Sequence, residues 1–417
     1  MKRNYFIVAL IMFVFFVISF LTNILGPLIP DIINSFSLSL TMAAFLPFSF
    51  FIAYGVMSIP AGMLVERYKE KPVMVAAFIL AFAGALLFAV IPYYEVAIFS
   101  LFLIGLGMAM LQVAINPLLR TAGGEEHFAF NSVLAQLIFG LASYISPQVY
   151  TYLVTNLQGY SGGGNAVIDL LSRLVPSSLP WVSLYWVFSL VTLFMVLIIF
   201  LVRLPKVERK EDERAEAWAT HRELFGNRIV ILYFIGIFAY VGTEQGVANW
   251  ISKFLSVYHG FDPQIIGADA VSYFWGLLTV GCLLGLILLK LFDSRKVIIA
   301  FTIAAMISLT FALFGPARVA LYAFPAIGFF ASVMWSIIFS LALNSLEKHH
   351  GSFSGILCTA IIGGALVPLI IGWLGDLFGL RIGMMFLYLT LGYILSIGFW
   401  AKPLINNQTI RNAEKAA

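Results

Sequence analysis

The chain has 417 residues and a formal net charge of +4; 61% of it is hydrophobic and only 11% charged, with a mean hydropathy of +0.99. Soluble domains carry about a quarter charged residues, and no soluble core of this size hides so large an apolar share. A disordered chain, a coiled coil and an ordinary cytosolic enzyme are therefore excluded, the small positive charge points to no nucleic-acid partner, and lipid is the solvent that fits.

A helix needs about 20 apolar residues to cross a bilayer. About twelve such stretches follow one another, without the ten-residue alternation of an outer-membrane barrel. The pattern predicts spans over 5–30, 40–63, 72–92, 95–119, 130–155 and 181–203, then 227–257, 264–290, 296–314, 317–346, 351–375 and 381–402. The expected fold class is an all-α polytopic membrane protein. The first stretch follows Met1-Lys2-Arg3 and is too long and unbroken for a cleaved signal peptide, so it reads as a retained anchor. After the fifth, AVIDLLSRLV (166–175) reads as a short amphipathic helix with Asp169 and Arg173 four apart. PKVERKEDERAEAWATHRELFG (205–226) is the longest polar stretch and reads as a solvated linker. It divides the chain six plus six: an expected N-terminal bundle over 1–203, a linker over 204–226 and a C-terminal bundle over 227–417.

Of the 24 Lys and Arg residues, four (Arg173, Lys253, Arg318 and Arg381) fall on one side of this arrangement and the rest on the other. The positive-inside rule makes the basic side cytoplasmic. Both termini are then expected inside, in the cytoplasmic membrane. Cys282 and Cys358 lie within apolar stretches and read as small core residues; two cysteines make neither a disulfide framework nor a zinc site.

Equal halves suggest a parallel internal repeat. Two tight basic-side loops support it: Gly62–Lys71, with Glu66 and Arg67, and Leu291–Lys296, with Asp293 and Arg295. An acid and a base at two helix ends can latch one state of a moving bundle; plain positive-inside charge explains them equally well.

Polar groups at membrane depth are the informative positions, since a mid-span acid costs about 2.5–3.5 kcal/mol on the insertion scale. Span one carries Ser19, Thr22 and Asn23 ahead of Gly26-Pro27. Span four carries Gln112 and Asn116-Pro117, and span five carries Gln136. Span seven holds Glu244, which reads as the acid lying well inside a span, with Gln245 and Asn249 on one face and Trp250 next. Trp275 and Trp335 follow on spans eight and ten. These aromatics suit stacking on a sugar ring and equally suit packing or an interface belt. Glu244 is either protonated and bonded to a neighbouring helix or lines a cavity that binds substrate or a cation. Spans three, six, nine and twelve are nearly bare of such groups, which separates cavity-lining helices from supports. No Ser-His-Asp set, no H-E-x-x-H and no Walker loop is visible, and no cofactor is expected.

Twelve spans, the central linker and the Gly62–Lys71 segment resemble the major facilitator superfamily, with Glu66 where Asp is usual and Lys69 where glycine is usual. LGMAMLQVAINPLLR (106–120), NSVLAQLIFGLAS (131–143) and YVGTEQGVANWISKFL (240–255) are similar to spans four, five and seven of its fucose/glucose/galactose permease branch. FSLALNSL (339–346) and GGALVPLIIGWLGD (363–376) are similar to that branch's spans ten and eleven. The resemblance implies two pseudo-symmetric six-helix bundles, alternating access and monosaccharide uptake by a monomer. Proton-coupled members carry an Asp in span one and a Glu in span four, where this chain has Asn23 and Gln112. Amides do not titrate, though they bond hydroxyls. Glu244 is thus the candidate coupling group, for a proton or a Na+ ion. Asn23, Gln112, Asn116, Gln136, Gln245 and Asn249 are the candidate sugar ligands, with Trp250, Trp275 and Trp335. Gly62, Glu66, Arg67, Asp293 and Arg295 are the candidate gating residues. A facilitator without coupling, an exporter of another organic solute, and a non-transporting membrane enzyme or sensor are the alternatives.

Overall fold

In a computed structural model the structure describes residues 5–123, 128–160, 162, 165–204, 218–346 and 350–404. Among them twelve helices are long and apolar enough to cross a membrane: Tyr5–Phe36, Leu40–Tyr68, Glu70–Val90, Tyr94–Ile115, Leu134–Leu157 and Pro180–Leu201, then Arg228–His259, Pro263–Leu291, Ser294–Phe314, Ala317–Leu343, Ser352–Phe378 and Leu380–Trp400. These are spans one to twelve. No strand occurs among the described residues, as expected where lipid offers backbone groups no partners.

Several boundaries differ from the hydropathy reading. Span one continues past Pro30 to Phe36 and carries Asp31, 7% exposed, with it. Glu244 is therefore not the sole acid inside a span. Span two runs through Gly62, Glu66 and Arg67 to Tyr68, and span three begins at Glu70. The expected Gly62–Lys71 loop is thus a one-residue reversal at Lys69, whose φ of 70° and ψ of 172° belong to a region glycine enters freely and other residues do not. Charged residues ended the predicted span early, but at a membrane surface they continue a helix without penalty.

Local chemistry accounts for the ends and breaks. Ser39, Asn227 and Asp293 cap spans two, seven and nine, each accepting from a backbone N–H of the first turn. Span one breaks at Asn23-Ile24, between helical segments Tyr5–Thr22 and Leu25–Phe36. Pro27 lacks the N–H that would return to the Asn23 carbonyl, so the break falls one turn ahead of it. Span ten breaks likewise at Ser332-Val333, between Ala317–Ala331 and Met334–Leu343. Residues 205–217 of the expected linker lie outside the described residues, and Trp218–Phe225 is a short helix leading into span seven. The amphipathic segment is a helix over Ala166–Leu174, capped by Asn165, in which Asp169 accepts from the Tyr160 hydroxyl.

The first six spans meet the second six along three seams: span one on seven, two on eleven, and five on eight. Gly26 lies so close to span seven that a Cβ there would stand 2.3 Å from the Ala248 carbonyl oxygen. Glycine is therefore required for this backbone-to-backbone approach. On the side away from the basic loops, here the far side, the seams are closed. Asp376 at the far end of span eleven accepts from Leu40 N (2.8 Å), Thr41 N (2.8 Å) and Thr41 Oγ1 (2.5 Å) at the start of span two. Gln148 Nε2 of span five donates to Asp269 Oδ1 (2.9 Å) and Ser272 Oγ (3.2 Å) of span eight. The five–eight seam runs down through Tyr144 against Gly276 to Gly140 against Thr279. One turn further toward the basic side its faces part: Gln136 on span five is exposed, as are Leu283 (43%) and Ile287 (58%) on span eight. The far side is thus held closed by the described contacts of these seams.

Candidate substrate and coupling site

The polar residues of spans one, five and seven converge where the helices change partners. The break in span one leaves Asn23 at a helix end, its backbone N–H bonded to Ser19 O (3.1 Å) and its amide free to reach sideways. Asn23 Nδ2 donates to Ser143 Oγ of span five (2.8 Å), and Ser143 Oγ lies 2.6 Å from Ser19 Oγ. Across the seam, Gln245 Nε2 of span seven donates to Asn23 Oδ1 (3.4 Å) and Glu244 Oε1 (3.3 Å). Tyr240 OH, one turn earlier, donates to Glu244 Oε2 (2.5 Å). A continuous chain of side-chain hydrogen bonds thus runs Ser143–Asn23–Gln245–Glu244–Tyr240, through both halves, at the middle of the bilayer-spanning helices. Its far-side neighbour is the Gly26–Ala248 approach, which sets how near spans one and seven come.

Exposure divides the expected ligands. Asn23, Gln245 and Asn249 are buried, at 4%, 4% and 3%. Gln112, Glu244 and Trp335 are half-buried and Gln136 is exposed. The group is therefore a buried anchor between spans one, five and seven with a more accessible fringe, rather than one open chamber. Asn116 belongs to the helix Tyr94–Gly123, but its side chain lies outside the described residues. Of the expected ligands, Asn249 Nδ2 and Trp275 Nε1 are among the buried polar atoms that have no partner within the described residues, and an unsatisfied buried N–H costs about 1–3 kcal/mol.

The tryptophans separate. Trp335 stands beside the break in span ten, its ring 6.0 Å from Tyr240 and stacked on Phe339 at 5.8 Å, so it forms an aromatic wall next to Glu244. Trp275 is 2% exposed and meets Phe274 edge-on. Trp250 corrects the expectation: it is fully buried and its indole N–H donates to the Pro368 carbonyl (3.3 Å). The Trp250 ring is thereby held in the contact of spans seven and eleven.

On the basic side, two of the expected gating residues meet each other. Asp293 binds Arg295 two residues on, Oδ2 to Nη2 at 2.9 Å. That guanidinium holds the Asp293 carboxyl below the ordinary carboxylate range. Arg67 lies over the Tyr68 ring, 5.2 Å from its centroid, and Gly62 is a half-exposed helical residue. On the far side, Asp376 joins the halves by accepting from the start of span two. Sequence reasoning missed Asp376 and Asp31 because each stands at the edge of an apolar stretch; the signal available was an acid followed by further helix-compatible apolar residues.

Residues 11–361 match the family profile of the Major Facilitator Superfamily. The chain belongs to that superfamily. Within it the chain is 33% identical over 407 residues to a glucose/galactose transporter of Brucella abortus (strain 2308), covering 95% of this chain and 94% of the relative. It is 25% identical over 402 residues to the L-fucose-proton symporter of Escherichia coli (strain K12), covering 91% and 89%. Among solved structures, a Major Facilitator Superfamily transporter, FucP, in the outward conformation superposes with a TM-score of 0.68 at 23% identity, over 95% of this chain and 98% of that one. A bacterial homologue of the human lysosomal transporter Spinster, inward-facing and unoccupied, superposes with a TM-score of 0.77 at 14% identity, over 95% and 96%. Both carry the fold of this superfamily member.

Proposed function

We propose that this chain is a monosaccharide importer of the cytoplasmic membrane that works by alternating access and couples sugar to a cation, H+ or Na+, through Glu244. The observation that carries the reading is the hydrogen-bonded chain from Ser143 through Asn23 and Gln245 to Glu244 and Tyr240. It links the two halves at mid-membrane and stands beside the aromatic face of Trp335.

Amides and hydroxyls both donate and accept, so they match vicinal sugar hydroxyls, and an aromatic face matches the apolar face of the ring. A sugar entering here breaks the Gln245–Asn23 contact and replaces it with its own hydroxyls. Asn249 Nδ2 and Trp275 Nε1, unpartnered in the structure, supply two further donors. Gln112 and Gln136 line the accessible side. Glu244 is ionised or neutral according to whether a cation is bound, and Gln245 and Tyr240 report that state directly to the substrate groups. The names of the Brucella and E. coli relatives support the same substrate class. With the basic side cytoplasmic and both termini inside, the closed far seams make the described conformation inward-open. The two six-helix units, 1–203 and 227–417, are the moving bodies, joined by the 204–226 linker, and the transporter acts as a monomer.

Uptake of labelled glucose, galactose and fucose into proteoliposomes, with proton and sodium gradients imposed separately, tests the reading. Accumulation driven by one gradient and abolished in Glu244→Gln, with sugar exchange retained, is the expected result. Downhill sugar flux insensitive to both gradients identifies a facilitator. Absence of sugar flux, or efflux of another solute, rejects the proposal.

A further inference from the structure

Asp31 is a buried carboxyl within span one, and its hydrogen-bond partners do not include the Glu244 chain. It lies on the far segment of span one, 7% exposed. Its Oδ2 accepts from Tyr150 OH of span five at 2.5 Å, and its Oδ1 accepts from Gln264 Nε2, at the head of span eight, at 2.9 Å. Tyr150 is itself fully buried. Gln264 is a keystone of the far seam, because its carbonyl also accepts from Thr151 of span five (2.7 Å) and its side-chain oxygen from Gln158, just past the end of that span (2.8 Å). Asp31 therefore belongs to one half and one of its two partners to the other. Opening the far gate must part Asp31 from Gln264 and bring the carboxyl to far-side water.

Among the described residues, the hydrogen-bond partners of Asp31 are neutral donors. The elements packed on this part of span one present Tyr150 from span five, Asp262 and Asp269 from span eight and its leading turn, and Lys253 from span seven. Asp262, another acid, stands at the head of span eight beside Gln264, capping Gln264 N (2.8 Å) and Ile265 N (3.3 Å). Asp269 is engaged by Gln148. Closing the gate over an ionised Asp31 thus buries a charge beside a like charge with only neutral donors to hold it. Such burial is disfavoured unless the group is neutralised.

We propose that Asp31 is a proton-binding site of the far gate, and that closing the gate takes up one proton from far-side water onto its carboxylate. The proton adds to Oδ2. The carboxyl then donates to the Tyr150 oxygen across the same contact, and Gln264 continues to donate to Oδ1. Reopening releases the proton to the far side. This site makes the closed state pH-dependent without itself moving charge across the membrane, so it is distinct from coupling at Glu244. It requires alternating access but not any particular substrate.

The test reads the gate without sugar. Spin labels are placed at Asn34→Cys on span one and Val257→Cys on span seven, both exposed at the far side, in a Cys282→Ser/Cys358→Ser background reconstituted in nanodiscs. Distance distributions are recorded from about pH 5 to about pH 9. One linked proton lowers the closed-to-open ratio by up to about tenfold per pH unit through its titration. Asp31→Asn, which mimics the protonated group, is expected to stay closed throughout. Tyr150→Phe, which removes a donor to the carboxylate, is expected to move the midpoint to higher pH. A pH-independent distribution in the parent protein overturns the proposal, as does an unaltered pH response in Asp31→Asn. Closure driven by sodium at constant pH overturns it too. A sugar-induced shift without a pH response removes the Asp31 site and leaves the carrier reading intact.

Discussion

Replacing Asp376 with alanine removes the acceptor that ties the far end of span eleven to the start of span two. Three bonds are lost: two to backbone N–H groups of the first helical turn and one to the Thr41 hydroxyl. Deleting a helix-capping acceptor costs about 0.5–2 kcal/mol. Asp376 is exposed, so water replaces part of what is lost and the attraction of its charge for the helix end is screened. About 1 kcal/mol remains, roughly a fivefold change in an equilibrium constant. Because the cap joins the halves only when the far side is closed, the whole of that energy acts on the gate rather than on folding of either half. The closed-to-open ratio, read from distances between far-side spin labels, is expected to fall about fivefold in Asp376→Ala, with thermal unfolding little changed. Thr41→Val, which keeps both backbone bonds, is expected to show a smaller effect. An unchanged ratio in a folded Asp376→Ala protein would falsify the view that this carboxylate holds the far seam, and a large drop in thermal stability would mean that it serves the fold instead.

Lys69→Gly removes a side chain from a backbone conformation that only glycine occupies without strain. That strain is of order 1–3 kcal/mol, and glycine's greater freedom in the unfolded chain returns about 0.4–1 kcal/mol. A net gain of about 1 kcal/mol should appear as a higher thermal midpoint in detergent, and a lower midpoint contradicts the assignment. Gly26→Val places a Cβ on the Ala248 carbonyl. It should hold spans one and seven apart and reduce uptake at least about tenfold, whereas Gly392→Ala, with open space around it, should transport normally. At the basic side, the Asp293 carboxyl is held low by Arg295. Its contribution is therefore present above the ordinary carboxylate range and lost as pH falls through the lowered value. The pair is partly exposed and worth about 0–1 kcal/mol. Asp293→Asn should flatten the acid limb of a stability–pH curve by no more than that, and a steeper limb in the variant contradicts it.

Composition and hydropathy were enough to establish the solvent, the helical class and the twelve spans, because a bilayer imposes one requirement on every crossing segment: an apolar stretch of helix that satisfies its own backbone. The same reasoning found Asn23, Gln245 and Glu244, since a polar group at mid-span is anomalous whatever its partners. Boundaries were less legible. A charged residue ends an apolar stretch but not a helix, so by hydropathy Asp31 and the Gly62–Tyr68 turns read as loop. Partners were not legible at all. Trp250 reads as a ligand candidate, and only the packing of span eleven shows that its indole N–H is taken by the Pro368 carbonyl; Asp293 likewise pairs with Arg295, two residues away. Which helices face one another across the molecule is decided by small-residue approaches such as Gly26 on Ala248. Those approaches depend on the packing of segments more than two hundred residues apart, and no local pattern records that packing.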